Sequence, residues 1–91
     1  MNVINVVAKE LQMSPNMLIT EGIKIYLKQM LSKVESDIFI LAKKYGVKDI
    51  FEMDSKVKNG FINENDSYED YFALDNLEAD KDKLKKLLKE I

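Results

Sequence analysis

Between Asn59 and Asp80 the chain carries seven carboxylates and no lysine: Glu64, Asp66, Glu69, Asp70, Asp75, Glu78 and Asp80. The same stretch holds Phe61, Tyr68, Tyr71, Phe72, Leu74 and Leu77. Acids interleaved with rings suit the capture of a cationic partner. The acids steer and pair, and the aromatics supply buried anchor area. Paired carboxylates can also do acid–base work, as in glycosidases. That chemistry needs a cleft framed by a sizeable scaffold, which a short helical chain is poorly suited to build.

The rest of the catalytic inventory is thin. The sequence has no His, Cys or Trp, and all 14 of its basic residues are lysines. Without histidine the commonest general base is missing, and neither a Ser-His-Asp nor a Cys-His arrangement can form. Cys/His zinc sites are excluded too. A calcium loop is suggested by Asn63, Asn65 and Ser67 at alternate positions. It fails because Tyr68 stands where the loop needs glycine and Leu74 where it needs a bidentate glutamate. We therefore expect no enzyme activity, no catalytic residue, no metal and no cofactor.

Charge is unevenly spread. Residues 1–48 carry a net +3 and residues 49–91 a net −5, within an overall −2. A chain of 91 residues is one domain. It contains no long apolar run of the ~20 residues that a membrane span needs. It shows no signal-peptide pattern and has no cysteines for disulfides. A cytoplasmic location is expected, with no membrane partner.

The elements that must position the acidic segment read as helices. Ile4, Val7, Ala8 and Leu11 share one face of a short helix that should stop near Met13. Ser14 then caps a second helix with Pro15 at its first position, where a missing N–H costs nothing. In that helix Ile23, Leu27, Met30, Val34, Ile38, Leu41 and Tyr45 are spaced by 4, 3, 4, 4, 3 and 4, close to a heptad seam. Lys43 and Lys44 followed by Gly46 mark its end. Residues 15–45 would span about 46 Å at 1.5 Å per residue, so this helix needs a long neighbour. The neighbour is either the C-terminal helix or a second copy of the chain.

A third, short helix has Ile50, Phe51, Met53 and Val57 as its apolar positions, and Asn59-Gly60 ends it. Residues 61–66 read as a polar loop. Ser67 reads as the N-cap of a last helix from about Tyr68 to Lys89, with Asp70 in a weak capping box. Its apolar stripe is Tyr71, Leu74, Leu77, Leu84, Leu87, Leu88 and Ile91. The stripe thins at Asp80-Lys81-Asp82, where a bend or fraying is expected. The fold class is all-α, a helical hairpin or bundle, in one domain with residues 1–46 for dimerisation and 47–91 for partner binding.

Two resemblances follow from these residues. The stretch 8–27 resembles the helix-turn-helix half of a ribbon-helix-helix protein, through Leu11, Ser14, Pro15, Leu18, Ile19, Glu21, Gly22, Ile23, Tyr26 and Leu27. The resemblance implies a DNA-binding autorepressor whose strand reads the major groove while the second helix's N-terminus holds a phosphate. That strand is expected to be missing or cut to a stub. The stretch 44–88 is similar to archaeal toxin–antitoxin antitoxins, through Lys44, Tyr45, Gly46, Phe51, Gly60, Ser67, Glu69, Asp70, Tyr71, Leu74 and Leu77. This second resemblance implies a protein that covers the basic, phosphate-binding groove of a toxin acting on RNA.

The expected partner-binding residues are Tyr68, Glu69, Asp70, Tyr71, Phe72, Asp75 and Glu78, with a basic cognate toxin as partner. Tyr68 and Phe72 lie off the apolar stripe and are the strongest choices. The competing reading packs Tyr71, Leu74 and Leu77 on the long helix and leaves the acids to water. Ser14, Pro15 and Asn16 could seat a nucleic-acid phosphate, though capping alone explains these residue types. Ile23, Leu27, Met30, Val34, Ile38 and Leu41 form the expected dimer seam of a homo-oligomer. The expected function is antitoxin-like neutralisation. The alternatives are a ribbon-helix-helix autorepressor that binds DNA and a helical self-assembly module.

Overall fold

The computed structural model describes residues 2–91. Four helices follow one another: α1 (Val3–Glu10), α2 (Pro15–Tyr45), α3 (Ile50–Lys58) and α4 (Glu64–Lys89). No strand occurs among the described residues, so the fold is all-α in the expected short, long, short, long order. None of these helices is long and apolar enough to cross a membrane.

Local chemistry sets the boundaries. Asn2 caps α1, its Oδ1 accepting the Ile4 N–H at 2.9 Å. The helix ends at Glu10, earlier than the Met13 expected from its apolar face. Gln12 takes a left-handed conformation, φ 56°, and the chain closes in a Schellman arrangement. The Gln12 N–H reaches the Lys9 carbonyl (3.1 Å) and the Met13 N–H reaches that of Ala8 (2.8 Å). This reversal delivers Ser14 to its capping position, where Oγ accepts the Met17 N–H at 3.0 Å. At the far end of α2, Gly46 adopts φ 64° and the Val47 N–H returns to the Ala42 carbonyl. Asp49 then caps α3 through the Glu52 N–H at 2.8 Å.

The start of α4 corrects the sequence reading. The N-cap is Asn63, whose Oδ1 accepts the Asp66 N–H at 3.1 Å, and the helix begins four residues before Tyr68. Ser67 is not a cap. It is buried in the second turn, and its hydroxyl donates to the Asn63 carbonyl at 2.7 Å. Asn63 and Ser67 are both good capping types. The first of them wins, and Glu64 and Asp66 then sit in a first turn where the helix dipole favours anions. The capping box with Asp70 does not form. The helix also runs unbroken through Asp80-Lys81-Asp82.

The two long helices form an antiparallel hairpin. Lys44, at the end of α2, meets Asp70, near the start of α4, while Glu35 and Ile38 share a groove with Lys81. The core lies at the closed end, where Ala42, Val47, Ile50, Met53 and Leu74 are buried together. Ile38, Leu41, Tyr45, Val57, Ile62 and Tyr71 pack around them. Phe51 is the exception to the expected apolar face of α3 and is 81% exposed. It sits about 100° around the helix from Ile50, away from the stripe made by Ile50, Met53 and Val57.

The expected seam on α2 divides in two. Val34 is buried, and Ile38 and Leu41 pack against the core within the chain. Ile23 and Met30 remain exposed, with Leu27 half-buried. Helix lengths explain the exposure of Ile23, whereas Met30 lies alongside α4 but about 40° around the helix from the buried Val34. From Tyr45 back to Pro15, α2 extends about 45 Å, whereas α4 runs only about 29 Å from Asp70 to Lys89. The first turns of α2 therefore project beyond α4, with α1 folded onto them through the buried Ala8.

Candidate functional site

The first half of α4 meets α3 across a cleft of about 210 Å³, lined by Asp54, Val57, Glu64, Ser67, Tyr68, Tyr71 and Phe72. Val57 from α3 and the three rings from α4 give it an apolar lining, and Asp54 and Glu64 add carboxylates. Its volume lies below the ~300–1,000 Å³ of small-molecule sites. It matches a single long side chain better than a metabolite.

Helical spacing decides which residues face this opening. Leu74 is fully buried, and Tyr71, three residues earlier, is half-buried on the same face. Tyr68 and Phe72 lie together to one side of that stripe and are 53% and 59% exposed. The rings of Tyr71 and Phe72 meet edge to face with centroids 5.6 Å apart, so the inner ring orients the outer one. Glu69 and Asp75 are exposed on the same half of α4.

Three of the seven expected partner-binding residues are used within the chain. Asp70 takes a hydrogen bond from Lys44 Nζ at 2.7 Å and another from the Tyr45 hydroxyl. The Lys44 bond, and then the Tyr45 bond, hold the Asp70 carboxyl below the usual aspartate range. Tyr71 donates its hydroxyl to Asp54 Oδ1 at 3.1 Å, and Lys58 pairs with Asp54 Oδ2 at 2.9 Å. The Lys58 bond chiefly keeps Asp54 low, while burial first and Asp54 second push the Tyr71 phenol up. Glu78 Oε2 accepts the Ile50 N–H at 2.7 Å, adding a second carboxylate beside Asp49 at the start of α3. Burial raises the Glu78 carboxyl above its ordinary range. The outward-facing set is thus Tyr68, Glu69, Phe72 and Asp75.

Sequence reasoning missed Asp54, Val57 and Glu64. The first two come from α3 and reach the site through the α3–α4 packing, which has no local signature. Glu64 falls in the stretch whose composition reads as loop, and it joins α4 because Asn63 rather than Ser67 caps the helix. Among the described residues no group of His, Cys, Asp or Glu side chains is arranged to hold a metal ion.

At the other end, Ser14, Pro15 and Asn16 open α2, and the Ser14 hydroxyl is engaged in the cap.

The fold and site define a small all-α protein with an open acidic, aromatic face at the start of its last helix. The chain matches the model of the uncharacterized protein MJ0235 family over residues 1–91, and it belongs to that family. No curated protein and no solved structure matches it.

Proposed function

We propose that this chain is a non-enzymatic binding protein of antitoxin type, which engages a basic partner protein through the acidic, aromatic face of α4. The observation that carries the proposal is the exposure of Tyr68 and Phe72 around a side-chain-sized cleft lined also by Asp54 and Glu64. A lysine or arginine of the partner fits this cleft, its aliphatic stem on the rings and its charge on Glu64, since Asp54 is already paired with Lys58. Glu69 and Asp75 add negative potential outside it, which speeds encounter with a cationic surface. A toxin that acts on RNA presents such a surface, because it must hold phosphates.

The reading requires a small basic protein encoded by a neighbouring gene, and the test is binding between the full chain and that protein, measured at low and at high salt. Binding at low salt that weakens steeply with ionic strength supports the proposal. The absence of binding at low salt defeats it. The DNA-binding alternative lacks comparable support, since no strand accompanies α1 and α2 among the described residues.

A further inference from the structure

The molecule is too extended for its length. Its radius of gyration is 19.2 Å and it measures 60 × 20 × 18 Å, whereas a compact domain of this size has a radius near 12 Å. The excess lies in the first turns of α2, which run beyond α4. From there into the stretch beside the end of α4, Ile19, Ile23, Tyr26 and Met30 are 40%, 47%, 62% and 37% exposed. At about 100° per residue these four fall within a band roughly 60° wide, one continuous apolar stripe beside the face that α4 covers. Glu21, Lys24 and Lys28, the charged residues of this segment, lie about 130° or more around the helix from the stripe's centre.

We propose that two copies of this chain pair through this stripe, antiparallel about a two-fold axis between Lys24 and Ile25. The midpoint of Ile19 and Met30 coincides with that of Ile23 and Tyr26. One axis therefore sets Ile19 against Met30 of the partner subunit and Ile23 against Tyr26 of the partner subunit. Such a self-complementary surface is what an isologous dimer requires. At roughly 100 Å² of exposed apolar surface per side chain, the stripe presents on the order of 400 Å² per copy. Two copies with their flanks reach the ~1,000 Å² that a specific interface needs. With no charge in the stripe to select a charged partner, a second copy supplies the matching apolar face. The pairing is independent of the acidic face, which lies at the opposite end of the hairpin.

Sedimentation equilibrium of the full chain up to about 100 µM tests the pairing. The expected mass is twice the 10.6 kDa of one chain. Ile23→Glu with Tyr26→Glu should weaken pairing at least ~100-fold while circular dichroism shows retained helicity, because both side chains are already exposed in the single chain. A wild-type chain that stays monomeric throughout the range overturns the proposal, as does a double variant that still dimerises. The register has its own test, since the chain has no cysteine. Ile19→Cys combined with Met30→Cys should give disulfide-linked dimers under oxidation, and either substitution alone should not. Efficient cross-linking of the single variants would mean a parallel register and would equally overturn it.

Discussion

Asp70 on α4 binds Lys44 and Tyr45, adjacent residues at the end of α2, with one carboxylate oxygen. Two donors from one helix terminus thus fasten the start of the other, some 25 residues along the chain. The contact fixes the register of the hairpin at its closed end. It also withdraws Asp70 from the outer face, so the acids that remain open are those with no such partner.

Asp70→Asn should lower the melting temperature by roughly 4–8 °C, the shift that ~1 kcal/mol produces in a domain of this size. Asn keeps an oxygen for these donors but loses the charge, and most of the loss comes from the weakened half-buried Tyr45 bond, because the Lys44 ammonium is solvated. The wild-type advantage should depend on pH. Asp70 is held low by Lys44 and Tyr45, so its contribution is complete above the ordinary aspartate value of 3.8 and is lost as pH falls through its lower folded value. Lys44 is raised, chiefly by the Asp70 bond, so its share is complete below 10.5 and fades as pH rises through its raised value. Thermal melts of both proteins from pH 2 to 11 should show the largest gap on the plateau between these limits. A gap that is flat down to pH 2 would contradict the pairing.

Glu78 should behave in the opposite sense. Burial raises its folded value above the ordinary 4.5, so its contribution is present below 4.5 and is lost as pH rises through the raised value. Glu78→Gln keeps an oxygen for the Ile50 N–H and removes the half-buried charge. The variant should equal or exceed wild type in stability at pH 7, and the advantage should shrink as the solution is acidified to pH 4. Chemical denaturation at the two pH values measures it. A variant that is clearly weaker at pH 7 would show that the dipole of α3 outweighs desolvation.

How much of this was legible in the sequence depends on the range of the interaction. The outward turn of Tyr68 and Phe72 follows from helical spacing, because both lie off the stripe that includes Tyr71 and Leu74. The Ser14-Pro15 cap and the Gly46 stop are equally local. The first residue of α4 was ambiguous, since Asn63 and Ser67 are rival caps one turn apart. The inward use of Asp70 and Glu78 was invisible, since their partners lie 25 to 28 residues away. The seam on α2 reads as one stripe, yet the shorter α4 covers only part of it. Nothing in the local pattern of α2 records the length of its neighbour.

Gln12 has the only positive φ among the described non-glycine residues, and it sits where a Schellman motif favours glycine. Gln12→Gly should raise stability by about 0.5–1 kcal/mol, because the left-handed conformation costs an L-residue more than the added chain entropy of glycine. Denaturant melts with an unchanged m-value would confirm it. If the variant loses stability instead, the Gln12 side chain is stabilising the turn.

The exposed rings allow folding to be separated from binding. Tyr68→Ala with Phe72→Ala removes two half-exposed side chains and leaves Leu74 and Met53 in place. The melting temperature should fall by no more than about 4–8 °C, since substitutions at exposed positions are usually worth up to about 0.5 kcal/mol each. Affinity for the basic partner should fall at least ~30-fold, because truncating a central aromatic anchor costs about 2 kcal/mol or more. Phe51→Ala is the control. Phe51 is as hydrophobic and more exposed, but it does not line the cleft. Titration calorimetry should find its affinity unchanged. Equal losses for Phe51 and for the Tyr68/Phe72 pair would mean that the partner reads general hydrophobicity, and the cleft would lose its role as the anchor site.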